Sequence, residues 1–155
     1  MRALILFFSL ISCSNLFAQT TTAPVNTKSP DIMVEEFSLL HQQLMPKVAV
    51  ADIYYGCHLS EETQYTIEYL ITEMDKDVLA NKLMACLGDD NIASDKALNF
   101  GIKGCFIDQL SALPETEQQA SLNKVEQATA SLPRSERQKS FTQCVNNQTL
   151  KYLSN

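Results

Sequence analysis

Five cysteines, Cys13, Cys57, Cys86, Cys105 and Cys144, are the residues best able to make or break covalent bonds in this 155-residue chain. No two stand as Cys-x-x-Cys, so thioredoxin-like redox exchange is not expected. A zinc site from Cys57, His58 and Cys86 would compete with disulfides for the same thiols. Two histidines in total leave little for imidazole catalysis or a His-rich metal site. Glycine-rich phosphate loops, a Gly-x-Ser-x-Gly elbow and His-Glu-x-x-His are all missing. Asp75-x-Asp77 and Asp89-Asp90-Asn91 lack the glycine and terminal glutamate of a calcium loop. The expectation is a non-enzymatic protein with no metal and no cofactor. With 12 Lys+Arg against 18 Asp+Glu, the charge is −6, which argues against nucleic-acid binding.

Five is an odd number for disulfides. The N-terminus resolves it. Arg2 supplies a positive start, and Ala3 to Ile11 form an apolar run suited to a signal peptide and too short to span a bilayer. Residues 1–18 are expected to be cut after Ala18. Alternatively, Leu10-Ile11-Ser12-Cys13 reads as a lipobox, with Cys13 acylated and the chain anchored to the outer membrane. Either route removes Cys13 from disulfide chemistry. Cleavage after Ala18 also removes Arg2, leaving 11 Lys+Arg against 18 Asp+Glu and a charge of −7. The expected location is a bacterial periplasm, an oxidising compartment. Residues 19–30, polar and carrying two prolines, read as a disordered leader or tether.

The four remaining cysteines need elements to position them, and residues 31–155 read as one all-α domain. Ser29-Pro30-Asp31 opens a helix, with serine as cap and proline at the first position. Met33, Phe37, Leu40 and Leu44 then form an apolar stripe expected to face the core, with His41 beside it. Pro46 is expected to kink or end that helix. A second segment, about 47–58, sets Val50, Ile53, Tyr54 and Cys57 on one face. Ser60-Glu61-Glu62 is expected to start a helix reaching Met74, with Ile67, Leu70, Ile71 and Met74 inward. Another runs to Leu87, where Gly88 stops it. A helix over about 95–113 is apolar on most sides and carries Gly101 and Gly104, each costing about 1 kcal/mol in a helix interior. Close packing at the centre of a bundle would offset that cost. Leu113-Pro114-Glu115-Thr116-Glu117 and Leu132-Pro133-Arg134-Ser135-Glu136 repeat one helix-restart pattern nineteen residues apart.

A rise of ~1.5 Å per residue then sorts the cysteines. Up one helix and down the next, Cys144 comes level with Cys105. Cys86 comes back toward Cys57 only if the chain breaks near Asp75–Asp77. The pairs expected are Cys57–Cys86 and Cys105–Cys144. Each joins a Gly-Cys (Gly56-Cys57, Gly104-Cys105) to the second helix onward. The architecture expected is a disulfide-stapled bundle of about six helices without a β-sheet. The shared plan would divide it into two related three-helix units.

One face goes against the usual polar exterior. On a helix from Ser60, Tyr65 and Tyr69 lie opposite the inward residues, beside Glu62 and Glu73. Tyrosine is favoured at interface hot spots. An acidic tyrosine face, extended by Tyr55, is the candidate binding surface for another exported or envelope protein, with a basic one favoured. The functional expectation is an exported protein-binding module, such as an inhibitor or immunity protein against a toxin or envelope hydrolase. A small-ligand or lipid carrier, or an envelope lipoprotein or stress chaperone, are the alternatives.

Overall fold

A computed structural model describes residues 29–59 and 65–154. The expected signal peptide with Cys13, most of the expected leader, and Glu62 lie outside the described residues. Six helices follow in order: α1 (Pro30–His58), α2 (Ile67–Thr72), α3 (Lys76–Leu87), α4 (Asp95–Leu110), α5 (Glu115–Ser131) and α6 (Arg134–Leu153). Among the described residues there is no strand, and no helix is long and apolar enough to cross a membrane. The architecture is the small all-α disulfide-stapled bundle expected.

Caps account for most of the boundaries. The Asp75 side chain accepts from the backbone N–H groups of Asp77 and Val78, at 2.8 and 3.1 Å, and starts α3. That is the break the Cys57–Cys86 pairing required. Ser94 accepts from the N–H of Ala97 and starts α4. Gly88 takes φ of +61° and ψ of −120°, a conformation that glycine reaches without a Cβ penalty and that ends α3. Pro114 and Pro133 stand just before α5 and α6 as caps, one step outside the first turn.

Two expectations are corrected. The first concerns α1. Pro46 lies inside it and does not end it, so the helix runs 29 residues, about 44 Å. The helices beside it are shorter: α4 has 16 residues and α6 has 20, about 24 and 30 Å. The first half of α1 therefore overshoots the bundle. Met33, Phe37 and Leu40 are exposed and Leu44 is half-buried, where a core stripe was expected. The second concerns the helix expected from Ser60. Here α2 begins at Ile67, where Thr66 is the cap: its hydroxyl accepts from the N–H of Tyr69 at 3.1 Å. Tyr65 therefore precedes the helix. The inward set Ile67, Leu70, Ile71 and Met74 is buried as expected.

The core is formed by the second half of α1 with α2, α3, α4 and α6. Val48, Ala51, Ile53 and Tyr54 from α1 pack with Leu70, Ile71, Leu79, Leu83, Leu87, Ala97 and Val145. As expected, α4 lies at the centre of the bundle, and α1 shares that place with it. Their crossing is reciprocal. A Cβ on Gly56 would meet the carbonyl oxygen of Phe100 at 2.0 Å; a Cβ on Gly104 would meet that of Asp52 at 2.1 Å. Phe100 is four residues before Gly104, and Asp52 is four before Gly56. The two helices thus cross antiparallel about a local two-fold, each offering a glycine to the other's carbonyl. Gly101 makes room for the ring of Phe141 in α6.

The α4–α6 pair runs parallel. Arg134 and Arg137 reach Asp95 at 2.7 and 2.8 Å, Arg137 also bonds Asn99, and Lys151 reaches Asp108 at 3.0 Å. Between these rungs Cys105 and Cys144 are bridged, Cα atoms 6.2 Å apart. Cys57 and Cys86, each one residue from the end of its helix, are bridged with Cα atoms 6.4 Å apart. Both pairings are those given by helix height. They place the chain in an oxidising, non-cytoplasmic compartment.

Candidate functional site

The tyrosine surface is built at the join between an extended pair, Tyr65-Thr66, and α2. The Thr66 cap turns the chain so that the ring of Tyr65 stacks on that of Tyr69, centroids 5.5 Å apart and 12° from parallel. Tyr69 is 43% exposed and Tyr65 is half-buried. From α3, the Lys82 ammonium sits 5.0 Å from the centroid of Tyr65, a cation–π contact that fixes the buried member of the stack. Tyr65 and Tyr69 thus meet without sharing a helix. Glu73 closes the far end of α2, where its backbone N–H donates to the Tyr69 carbonyl, and is exposed.

Tyr65 also forms one wall of a cleft of about 420 Å³. Tyr55 lies in the same cleft, with Thr66, Glu68, Asp108 and Ser111. The extension from Tyr65 to Tyr55 is therefore present. Two of the lining residues are acids.

Asp108 is the polar centre that the sequence reading missed. It accepts from the Lys151 ammonium and, at 3.0 Å, from the hydroxyl of Tyr152. Burial raises the phenol of Tyr152 well above its ordinary range, and the neighbouring Asp108 carboxylate adds to the effect. Tyr152 stays neutral and donates.

Beneath this lies Asp52, fully buried in α1. The Gln148 amide donates to one of its oxygens at 3.1 Å, and the other has no partner. Burial pushes the Asp52 carboxyl well above the carboxylate range; the Gln148 bond lowers it in part and the Asp108 charge raises it. Gln148 also sets its own oxygen 3.0 Å from the Cys105 sulfur. That sulfur is in a disulfide and has no proton, so this is a contact and not a hydrogen bond. A lone acid inside the apolar run Val48–Tyr55 was the sequence signal for this network.

The serine and threonine hydroxyls of the cleft are engaged by backbone: Ser111 donates to the Asp108 carbonyl oxygen at 2.7 Å, and Thr66 accepts from the N–H of Tyr69. The arrangement offers two stacked rings, an acidic cleft and a locked polar floor. A second concavity, about 480 Å³, is apolar and lies between α1 and the end of α3, lined by Val50, Leu83, Met84, Leu87 and Ile92 among others. His41, on the opposite flank, bonds Asn146 at 3.0 Å and is half-buried.

No family model matches the chain, and neither a curated protein nor a solved structure matches it.

Proposed function

We propose that this chain is a periplasmic protein-binding module that neutralises a basic exported partner, a toxin or an envelope hydrolase. The observation that carries the reading is the stacked Tyr65–Tyr69 pair at the edge of an acidic cleft on a twice-stapled scaffold. Stacked tyrosines supply contact area with little rotamer entropy left to lose. Glu68 and Asp108 in the cleft, and a net charge of −6 over the chain, would speed encounter with a cationic surface. Envelope anchoring through Cys13 is compatible with this role and would keep the module near the site of attack.

The test is capture from native periplasm with the oxidised chain from Gln19 onward, run beside Tyr65→Ala/Tyr69→Ala. A single partner, retained by the first bait and lost at least tenfold by the second, supports the reading. Equal recovery on both baits refutes it. For a captured partner, an association rate that does not fall with salt would remove the steering argument.

The apolar groove at the end of α3 favours a second reading, a carrier of small apolar ligands. A fluorescent fatty acid that binds the chain and is excluded by Leu83→Arg would favour it over the first.

A further inference from the structure

Of the six helices, α5 is the one that buries no residue. It packs chiefly on α4. Its inward face is Gln118, Ser121, Leu122, Val125 and Thr129, all half-buried. Only Leu122 and Val125 among them are large and apolar. Hydrophobic stabilisation follows the apolar area removed from water, so this seam holds less firmly than those of the other helices.

The seam is also loosely filled. A recess of about 80 Å³ lies along it, lined by Ile102 and Phe106 of α4, Val125, Ala128 and Leu132 of α5, and Arg137 of α6, among others. Atoms that face a void lose dispersion contacts. Arg137 adds a cost of its own. Its two Nη atoms are taken by Asn99 and Asp95, and its Nε is buried without a partner. Lys103 and Glu126 pair across the seam at 2.7 Å, but their side chains are 39% and 54% exposed, and such pairs hold little. The other side-chain hydrogen bonds of α5 stay within the helix or reach the Ser111–Leu113 turn beside it.

Both joins are set apart from the flanking helices. The repeated Leu-Pro pattern brackets α5, with Leu113-Pro114 before it and Leu132-Pro133 after it. Proline has no N–H to carry a helical ladder across a join, and Leu132 is extended, with φ −80° and ψ 143°. The helices on either side do not need α5 to stay together. The Cys105–Cys144 bridge, and the bonds of Asp95 and Asp108 to Arg134, Arg137 and Lys151, join α4 to α6 directly. The loop closed by that bridge contains α5, so the two ends of α5 are held whether or not it is seated.

We infer that α5 is a strap: it lifts from α4 as one unit while the rest of the bundle stays folded, and it uncovers the apolar face of Ile102 and Phe106. Lifting opens the recess to water and relieves the unpaired Arg137 Nε. An isolated helix of 17 residues is marginal in water, so lifting and melting occur together and release the α5 amides. The strap gives no residue to the tyrosine cleft, so the inference is independent of the binding reading.

Hydrogen exchange followed residue by residue tests it, on the oxidised chain from Gln19 to Asn155 with Ile71→Val beside the wild type. Amides from Gln119 to Ser131 should exchange through one shared opening, at least about a hundredfold faster than the slowest amides of α4 and of the second half of α1. Ile71 belongs to the core, which α5 does not join. Its loss of a methylene weakens the closed and the lifted state alike. Ile71→Val should therefore speed the slowest amides about 2–10-fold and leave the α5 rates unchanged. Wild-type α5 rates equal to those of the slowest amides, or α5 rates that rise with Ile71→Val, mean that α5 opens only with the whole bundle and overturn the inference. Rates graded inward from both ends of α5, the mark of turn-by-turn fraying, overturn it as well.

Discussion

Gly104 lies so close to Asp52 that a Cβ on the glycine would stand 2.1 Å from the aspartate carbonyl oxygen. The obstacle is backbone at the centre of two crossing helices, where no side chain can swing aside. Gly104→Ala, and likewise Gly56→Ala against Phe100, should therefore destabilise by roughly 3 kcal/mol or more, beyond the usual range for an added methyl group. Gly88→Ala meets no neighbour within 4 Å and suffers only from its backbone conformation, φ +61° and ψ −120°, a loss of about 1–3 kcal/mol. Urea unfolding of the three variants should give that order. An intact Gly104→Ala would contradict the crossing.

The two disulfides close loops of similar length, with partners 29 and 39 positions apart in sequence. Chain entropy alone gives each about 3–4 kcal/mol and hardly separates them. Burial does separate them. Cys105 and Cys144 are 0% and 3% exposed, while Cys57 and Cys86 are partly exposed at helix ends. Limited reduction followed by alkylation and mass spectrometry should label Cys57 and Cys86 first, before the global fold opens.

Asp52 ties stability to pH in an unusual direction. Its folded-state pKa is raised, so the folded chain holds this proton more tightly than the unfolded one. That contribution is whole below the unfolded value and is lost as pH rises through the folded one. Relative to Asp52→Asn, which cannot ionise, the wild type should lose Tm by a few degrees per pH unit across that window. Parallel Tm–pH profiles for the two proteins would show that Asp52 is not the titrating group.

Arg137 and Arg134 both bind Asp95 but sit differently. The Arg137 side chain is 13% exposed and also holds Asn99; that of Arg134 is 40% exposed. Arg137→Ala should lower stability by about 1–2 kcal/mol, and Arg134→Ala by less than ~1 kcal/mol. Thermal or denaturant unfolding compares them directly.

Much of the bundle is legible in the sequence because helix length and capping are local. Asp75, Gly88 and Ser94 mark their boundaries through hydrogen bonds or backbone conformation within a few residues. The cysteine pairing follows from rise per residue once those boundaries stand. What could not be read is non-local. Periodicity says that Met33, Phe37 and Leu40 share a face, but not whether another helix reaches them. Here α1 is longer than its neighbours and they do not. The sequence pattern puts Tyr65 and Tyr69 on one helix face, whereas Tyr65 precedes the helix and stacks on Tyr69 from outside it; nothing in the pattern weighs Thr66 against Ser60 as a cap. Asp52, Asp108 and Gln148 come from three helices, and only the packed bundle brings them together.

The pairing of Cys57 with Cys86 and of Cys105 with Cys144 joins each cysteine to its neighbour in sequence. A chain threaded through a membrane pore from its N-terminus presents its thiols in that same order. Cys86 is available to Cys57 before Cys105 has emerged, so oxidation on first encounter yields the native connectivity. Maturation then calls for an oxidase but no isomerase. The chain should acquire both bonds at full yield in cells stripped of disulfide-shuffling enzymes.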